Sequence, residues 1–354
     1  MAFTQAQMDA VANHALDFYV KGDAFDQTIQ EKPLLAALSA KKKMFPGGKG
    51  GISIPVKGAY LDADPAFFKG YGFNDTVTFQ NPALGQRAKY NYFEVHGGIT
   101  ITHTELKQDG ISILDSAFGK ETSQASEREI TSLTNLLDEK LDSMSEGWSR
   151  KMNQMAWFDG TQDSGKQSPG ILFFITDTPT LGTVGGLSRA TFSWWRNRAA
   201  LGIVAGGETL QTKLRSEVRQ LRRYGGKPNL ILAGSAFIEA LEKEVAAKST
   251  YSMTGVAGKR DIASPSLFIN GIGEIRYDPT LDDLQGLLGG AIDFSKRCYF
   301  IDTDCINHWV MDGEENKLHC PARPETQYAM YRSMTWTGGM GAKRLNSSGV
   351  YSIS

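Results

Sequence analysis

Residues 121–157 read ETSQASEREITSLTNLLDEKLDSMSEGWSRKMNQMAW, and the rest of the chain is interpreted outward from this stretch. Its apolar residues lie three or four positions apart, on one stripe of a helix: Ile130, Leu133, Leu137, Leu141, Met144, Trp148, Met152 and Met155. Charged residues, several of opposite sign at helical spacing, occupy the other face. The pattern predicts a helix of roughly 35 residues, about 50 Å long, that stops before Asp159-Gly160. A coiled coil is the alternative, but the pattern stays regular for only about four turns.

Composition excludes several classes of function. The chain has 354 residues, with 38 basic and 39 acidic side chains and a formal net charge of −1. This balance gives no general attraction to nucleic acid or to an anionic membrane. No apolar run reaches the length of a membrane span, and residues 1–5 do not begin a secretory signal. Cys298, Cys305 and Cys320 do not make a disulfide framework, so we expect synthesis in a reducing cytoplasm.

The first fifty residues have the pattern of an arm. Residues 4–19 predict a short amphipathic helix, and a small apolar patch follows at Leu34, Leu35 and Leu38. The lysine run 41–43 then leads into a glycine cluster. We expect an extended arm without its own core, in which the lysines are solvated or, alternatively, contact nucleic acid.

Strand patterns and aromatic residues follow between residues 52 and 106. Ile52, Ile54 and Val56 alternate with polar residues, and Val77 with Phe79 and Ile99 with Ile101 do the same. Phe67, Phe68, Tyr71, Phe73, Tyr90, Tyr92 and Phe93 lie in the polar segment between them. These residues predict a long two-stranded excursion. Because a lone hairpin is marginal in water, the excursion folds onto its own domain or finds a partner elsewhere.

The second half of the chain predicts a mixed α+β arrangement. A helix over residues 208–224 precedes a buried strand, Leu230–Leu232, and a second helix that begins at Ser235 and ends near residue 248. Short strands follow at residues 274–277, 297–301, 307–311, 328–337 and 350–353. Arg215, Arg219, Arg222 and Arg223 form a basic stripe on the first helix. The stripe is a solvated face, a nucleic-acid contact or a contact with an acidic neighbouring subunit.

No motif for catalysis or cofactor binding is present in the sequence. Ser235 lies between a strand and a helix, but the flanking glycines of a nucleophile elbow are absent. Reactive side chains gather in one segment: Cys298, Cys305, His308, His319 and Cys320. Their spacing fits a zinc site poorly, and we expect ordinary packed cysteines with no metal or other cofactor.

The order of these parts, together with three local segments, resembles the major capsid protein family of tailed bacteriophages. The segments are 184–189 (VGGLSR) leading to 194–196 (WWR), 298–303 (CYFIDT) and 346–351 (NSSGVY). The resemblance covers essentially the whole chain. It implies the α+β tailed-phage major capsid fold, with an N-terminal arm, an extended β-hairpin loop, a long spine helix, and peripheral and axial domains.

The resemblance also implies domain boundaries. The N-terminal arm is expected at residues 1–51 and the extended hairpin loop at 52–95. The peripheral domain would span 96–189, with the spine helix at about 112–157. The axial domain would span 190–320. Residues 321–354 would then return to the peripheral domain as its last strands.

By the same resemblance, the function is that of a structural subunit that self-assembles into an icosahedral capsid enclosing a phage genome. The expected partners are copies of the chain in hexamers and pentamers, a separate scaffolding protein, a portal, a decoration protein, and DNA at the inner face. Assembly would take place in the bacterial cytoplasm. The predicted inter-subunit contacts are Phe67, Phe68, Tyr71, Phe73, Tyr90 and Tyr92. The alternatives are a portal or tail subunit, or an α+β enzyme with a dispersed site.

Overall fold

The computed structural model describes residues 30–47, 50–58, 60, 68–76, 79, 85–108, 127–206, 209–247, 266–269, 271–290, 292–319 and 329–354. Its helices are α1 (Pro33–Ala40), α2 (His103–Gln108), α3 (Glu127–Trp157), α4 (Gln162–Gly165), α5 (Ile171–Phe174), α6 (Thr209–Arg222), α7 (Ser235–Ala247) and α8 (Pro279–Leu288). Its strands are β1 (Lys43–Phe45), β2 (Ile52–Val56), β3 (Gln86–Tyr90), β4 (Phe93–Thr102), β5 (Thr183–Val184), β6 (Leu187–Ser188), β7 (Arg198–Ile203), β8 (Leu230–Ala233), β9 (Ser266–Ile269), β10 (Gly273–Tyr277), β11 (Arg297–Ile301), β12 (Ile306–Met311), β13 (Lys317–His319), β14 (Ala329–Ala342) and β15 (Gly349–Ile353). The helix expected at residues 4–19 lies outside the described residues.

The long helix α3 ends at Trp157, as the sequence predicts. Its 31 described residues correspond to about 46 Å. The last turns are buried, and Met152, Met155 and Trp157 are at most 7% exposed. The first part of the expected helix, residues 112–126, lies outside the described residues. In the described part of the chain, no helix is long and apolar enough to cross a membrane.

Buried hydrogen bonds fix the end of α3 to two other helices. The Asn153 amide accepts from the backbone N–H of Leu35 in α1 (3.2 Å) and donates to Thr280 Oγ1 in α8 (2.8 Å). Trp157 Nε1 donates to Asp278 Oδ2 (3.0 Å), and the other oxygen of Asp278 caps α8 at Thr280 N (3.0 Å). Burial raises the pKa of the Asp278 carboxyl. These polar contacts set the angle at which the three elements meet.

A six-stranded sheet of order β7-β15-β11-β8-β10-β9 forms the centre of the second half. Its two faces are both covered, because successive side chains of a strand point to opposite sides. Ile231 of β8 packs in a cluster with α6 and α7. Its neighbour Leu232 belongs to a second cluster, which contains Trp157 of α3 and Leu284 of α8. Helices α6 and α7 therefore lie on the face opposite to the spine helix.

A five-stranded sheet is built around the long strand β14. Strand β4 pairs with the first part of β14, from Ala329 opposite Thr102 to Gly338 opposite Phe93. Strand β12 pairs with its last residues, and β13 with residues 333–335. Helix α3 crosses β4 closely at Gly97, where an added Cβ would lie 2.8 Å from the Trp148 ring. Trp148 thus occupies the space that a larger residue in β4 would fill.

Strand pairing differs from the expected division of the later chain at two places. Strand β15 pairs with β7 in parallel and with β11 antiparallel, so it lies inside the six-stranded sheet, where Val350 shares a core cluster with Trp157 of α3. The reason is packing, since Val350 and Tyr351 are fully buried there. Strand β12, expected in the axial domain, belongs to the five-stranded sheet. The remaining domain boundaries stay a prediction.

The end of the predicted arm folds onto its own subunit, which corrects the expectation of a wholly extended arm. Leu34 and Leu38 of α1 are fully buried, and β1 pairs in parallel with β12. Lys41 forms an ion pair with Asp304 (2.7 Å) and Lys42 with Glu315 (2.6 Å). The carboxylates that pair with these lysines come from the distant segment around β12, so the local sequence gave no sign of them.

Candidate assembly surface

The excursion between β2 and β3 has a base that is buried in its own subunit. The two strands pair antiparallel, from Ile52 opposite Tyr90 to Val56 opposite Gln86. Their inward residues belong to the large core cluster, namely Ile52, Ile54, Val56, Ala88 and Tyr90. This pairing confirms a two-stranded excursion at residues 52–56 and 86–90. The expected range of 52–95 is too long, because Phe93 already belongs to β4.

A tight turn between β5 and β6 holds the base of the excursion. Gly185 and Gly186 have φ values of 60° and 80°, the left-handed conformation that a two-residue hairpin turn of this type requires. The backbone N–H of Lys89 in β3 donates to the Gly185 carbonyl (2.9 Å). Trp195 Nε1 donates to the Val184 carbonyl (3.0 Å). The VGGLSR and WWR segments thus meet at β3.

The buried guanidinium of Arg189 completes this anchor. It donates to the Phe174 carbonyl (2.7 Å) and to Thr176 Oγ1 (2.5 Å). Burial lowers the pKa of Arg189 to about 10, so the group stays charged at neutral pH. The nearby Tyr90 hydroxyl donates to the Ala342 carbonyl (2.9 Å), and burial raises the pKa of Tyr90. Both side chains are therefore hydrogen-bond donors to the backbone of the core.

Directly after β2, the backbone passes close to the ring of Trp194. A Cβ added at Gly58 would lie 1.8 Å from Cδ2 of Trp194, so only glycine fits this approach. The Trp194 ring also contacts Phe192, with ring centroids 5.4 Å apart. The base of the excursion is therefore fixed in position by close packing as well as by hydrogen bonds.

The described residues beyond the base expose large aromatic side chains. Phe68, Tyr71, Phe73 and Phe79 have exposed fractions between 77% and 110%. Such a group of exposed aromatic residues is unusual on a free protein surface and is typical of a binding surface. We call Phe68, Tyr71, Phe73 and Phe79 the aromatic tip. Three of its members were predicted as inter-subunit contacts from the sequence, and that role stays a prediction.

The other predicted contact residues have different positions. Tyr90 is 5% exposed inside its own subunit, so the prediction that it is buried only by a neighbouring subunit is wrong. The alternation of Ala88 and Tyr90, matched to that of Ile52 and Ile54, was the available signal. Tyr92 is half-buried, with its ring centroid 6.1 Å from that of Phe45. Phe67 lies outside the described residues.

The described cysteine and histidine residues of the candidate zinc segment lie in different elements: Cys298 in β11, Cys305 in the turn before β12, His308 in β12 and His319 in β13. Cys298 is fully buried in β11, and burial raises its pKa well above the usual value. Burial also raises the pKa of Cys305 to about 11 and lowers that of His308 to about 4. His319 lies in β13, and Cys320 lies outside the described residues. Among the described residues, no group of three or more His, Cys, Asp or Glu side chains could hold a metal ion.

Two cavities of the described part of the chain have the position of a possible ligand site. One, of about 100 Å³, lies between α1, α3 and the five-stranded sheet and is lined by Trp148, His308 and Trp336. It is smaller than most ligand sites. The other, of about 350 Å³, lies beside α7, where Glu239 and Lys243 form an ion pair (2.6 Å). Neither lining includes a nucleophile beside a general base.

The fold of the chain is similar to that of known phage capsid subunits. The chain is similar to a protein in the Cyanophage A-1(L) capsid asymmetric unit, with 15% identity, a TM-score of 0.57 and coverage of 94% of this chain and 96% of the other. It is also similar to a protein in the capsid of Myoviridae Phage XM1, with 11% identity, a TM-score of 0.55 and coverage of 94% of this chain and 95% of the other. A third similar protein belongs to the capsid of a native GTA particle, with 14% identity, a TM-score of 0.52 and coverage of 97% of this chain and 98% of the other. No protein-family model and no curated protein sequence matches the chain. The chain has the α+β fold of tailed-phage major capsid proteins.

Proposed function

We propose that the protein is a structural subunit that assembles into the icosahedral capsid of a tailed phage. The observation that carries this proposal is the aromatic tip, held on a base that is fixed in the subunit core. Its fold, shared with capsid subunits over nearly the whole chain, supports the same role. A tip that has no core of its own gains stability by packing against a neighbouring copy.

Burial of the tip would contribute substantially to assembly. A large apolar side chain contributes about 1.5–3 kcal/mol when it is removed from water. Phe68 and Phe73 are almost completely exposed in the subunit, at 93% and 110%, so nearly all of that energy is available to an interface. The near-neutral total charge also limits repulsion between closely packed copies.

The proposal implies several partners. Copies of this chain would form hexamers and pentamers of the shell. A separate scaffolding protein would guide assembly, a portal would occupy one vertex, and a decoration protein would bind outside. The subunit would be made in the bacterial cytoplasm and would end in the virion, around packaged DNA. We expect the subunit to act without catalysis and without a cofactor.

Electron microscopy of the purified protein tests the proposal, alone and with the products of its neighbouring genes. We expect closed shells, or the hexamers and pentamers from which they form. The variant Phe68→Ser/Phe73→Ser should keep the thermal stability of the free subunit, because neither ring lies in its core. Its assembly should be weaker by several kcal/mol per subunit. The control, Leu287→Ser/Leu318→Ser, removes two exposed apolar side chains far from the tip in sequence and should leave assembly closer to normal.

Three results would contradict the proposal. A compact monomer under all assembly conditions would exclude a shell subunit. A single ring or an open tube would favour a portal or tail subunit. A small discrete oligomer that turns over a substrate would favour an enzyme. If the control variant weakens assembly as much as the tip variant, the tip is not the specific contact.

A further inference from the structure

The exposed side of helix α6 (Thr209–Arg222) is basic. Its opposite side packs against the six-stranded sheet through residues that are at most 2% exposed: Leu210, Leu214, Val218 and Leu221. Arg215, Arg219 and Arg222 are exposed, and Arg223 follows directly after the helix. We call Arg215, Arg219, Arg222 and Arg223 the α6 arginine face. Three cations on one side of the helix, with a fourth directly after it, contrast with the balanced charge of the whole chain.

No carboxylate of the helix neutralises this face. Glu217 is the acidic residue of α6, and it is only 4% exposed. Its carboxylate pairs with Arg198 of β7 (2.6 Å) and with Lys213 (3.5 Å). Within the described part of the chain, no ion pair involves Arg215, Arg219 or Arg222. Their charges are therefore available to an external anion.

The spacing of the arginines fits a long polyanion better than a single small anion. Arg215 and Arg223 are eight residues apart, which is about 12 Å along the helix axis. A DNA duplex carries one charge per about 1.7 Å of its axis, so it presents about seven phosphate charges over that distance. Guanidinium groups match phosphate oxygens in pairs and stay charged at every physiological pH.

The chemistry around the arginines favours nucleic acid over a protein partner. The other exposed positions of α6 are polar or charged: Thr209, Thr212, Lys213 and Gln220. A protein–protein interface needs an apolar centre, and this helix offers none. Interfaces with DNA are polar and strongly positive. Tyr224, an exposed aromatic residue beyond the helix, contacts the Arg223 guanidinium at 5.4 Å.

We propose that the α6 arginine face binds the phosphate backbone of double-stranded DNA without sequence preference and therefore lies on the inner surface of the shell. The inner location rests on the proposed capsid function. The contact is electrostatic, so it releases counterions and weakens as salt is added. Because α6 lies on the face of the sheet opposite to the spine helix, this proposal also orients the subunit in the shell.

The first arm of the test measures binding of the free subunit to a mixed-sequence DNA duplex at several salt concentrations. The variant Arg215→Gln/Arg219→Gln should reduce the slope of log K against log salt by about 1.8, since each phosphate contact contributes about 0.9. The variant Arg215→Lys/Arg219→Lys keeps both charges and should keep the slope. The control Lys151→Gln/Lys166→Gln removes the same charge from exposed positions in and after the spine helix and should change the slope little. Equal effects of the glutamine variant and the control would overturn the proposal.

The second arm separates this proposal from the proposed function. Arginine side chains are modified with a dicarbonyl reagent in DNA-filled shells and in emptied shells, and the modified residues are located by mass spectrometry. We expect Arg215 and Arg219 to be protected only in filled shells. If shells form but these arginines react equally in both, the DNA contact is wrong and the capsid function stands. If the glutamine variant forms no shells while the control does, the face is a subunit contact and the proposal is overturned. If the parent protein never forms shells, the capsid function fails, and the first arm alone decides DNA binding.

Discussion

At the scale of single residues, a few buried polar side chains determine how the elements meet. Asp278 is fully buried and accepts hydrogen bonds from Trp157 and from the start of α8. A buried carboxylate is costly unless such donors satisfy it, and burial accordingly raises its pKa. The Trp157 indole N–H is thus one of the buried donors that fix the orientation of the spine helix.

Trp157→Phe should therefore lower the free energy of unfolding by about 2–4 kcal/mol, because it removes a donor from a buried carboxylate and leaves a small void. Urea denaturation measures the loss. Trp148→Phe is the matched control, since the Trp148 indole donates to Asn316 (2.9 Å) at an exposed site and its loss should cost less. Equal losses in the two variants would show that the buried hydrogen bond has no special role.

His308 makes stability depend on pH. Burial lowers its pKa to about 4 in the folded protein, against 6.5 for the free side chain. The unfolded chain therefore binds more protons between these values, so stability is full above pH 6.5 and is lost as pH falls toward 4. The expected loss from this group between pH 7 and pH 5 is about 2 kcal/mol. Denaturation of His308→Leu at both pH values should show that part of the loss removed. His96→Leu, at an exposed position, is the control, and an unchanged pH dependence in His308→Leu would contradict the assignment.

At the scale of elements, replacing either of two glycines near the spine helix by alanine should change the stability of the protein in opposite directions. Gly147 lies within α3, and nothing is within 4 Å of a Cβ added there. Gly147→Ala should stabilise the protein by about 0.5–1 kcal/mol, because alanine loses less backbone entropy in a helix. Gly97→Ala in β4 should instead destabilise it by about 1–3 kcal/mol, because its Cβ would meet the Trp148 ring. Thermal denaturation measures the change in stability of each variant. If both variants are stabilised, or both are destabilised, this description of the packing is wrong.

The sequence predicted elements whose signals are local. The end of α3 at Trp157, helix α6, strand β8 and helix α7 all follow from periodicity and stop residues. The sequence did not predict contacts in which the contacting segment is distant in the chain. Leu34 and Leu38 resemble an isolated patch because the strand beside them, β12, is far away in the chain. The sequence left open whether the excursion folds onto its own domain, because the contact of its base with the β5–β6 turn has no local pattern.

At the scale of the whole molecule, the structure divides the excursion into a fixed base and an exposed tip. The tip has little contact with its own subunit, whereas the base belongs to the main core. Assembly should therefore change the accessibility of the tip and leave that of the base unchanged.

Limited trypsin digestion measures this difference. Cleavage of free subunits should concentrate after Lys69 beside the tip, because Lys69 is exposed and lies outside the described strands. Arg87 and Lys89 lie in the paired strand β3 and should resist in both states. In assembled shells, cleavage after Lys69 should fall sharply. Cleavage of Arg87 in free subunits, or equal cleavage after Lys69 in both states, would show that the excursion is not divided in this way.

The central place of β15 has a consequence for biosynthesis. Strand β7 ends at residue 203, but its parallel neighbour in the sheet begins at residue 349. At translation rates of about 5–20 residues per second, roughly 7–30 seconds pass before the ribosome supplies that neighbour. During this delay β7 and β11 lack the strand that joins them, and the six-stranded sheet remains in two parts. A nascent chain therefore cannot complete this sheet before residues 349–353 have emerged, and the edges of β7 and β11 that pair with β15 stay unpaired until then.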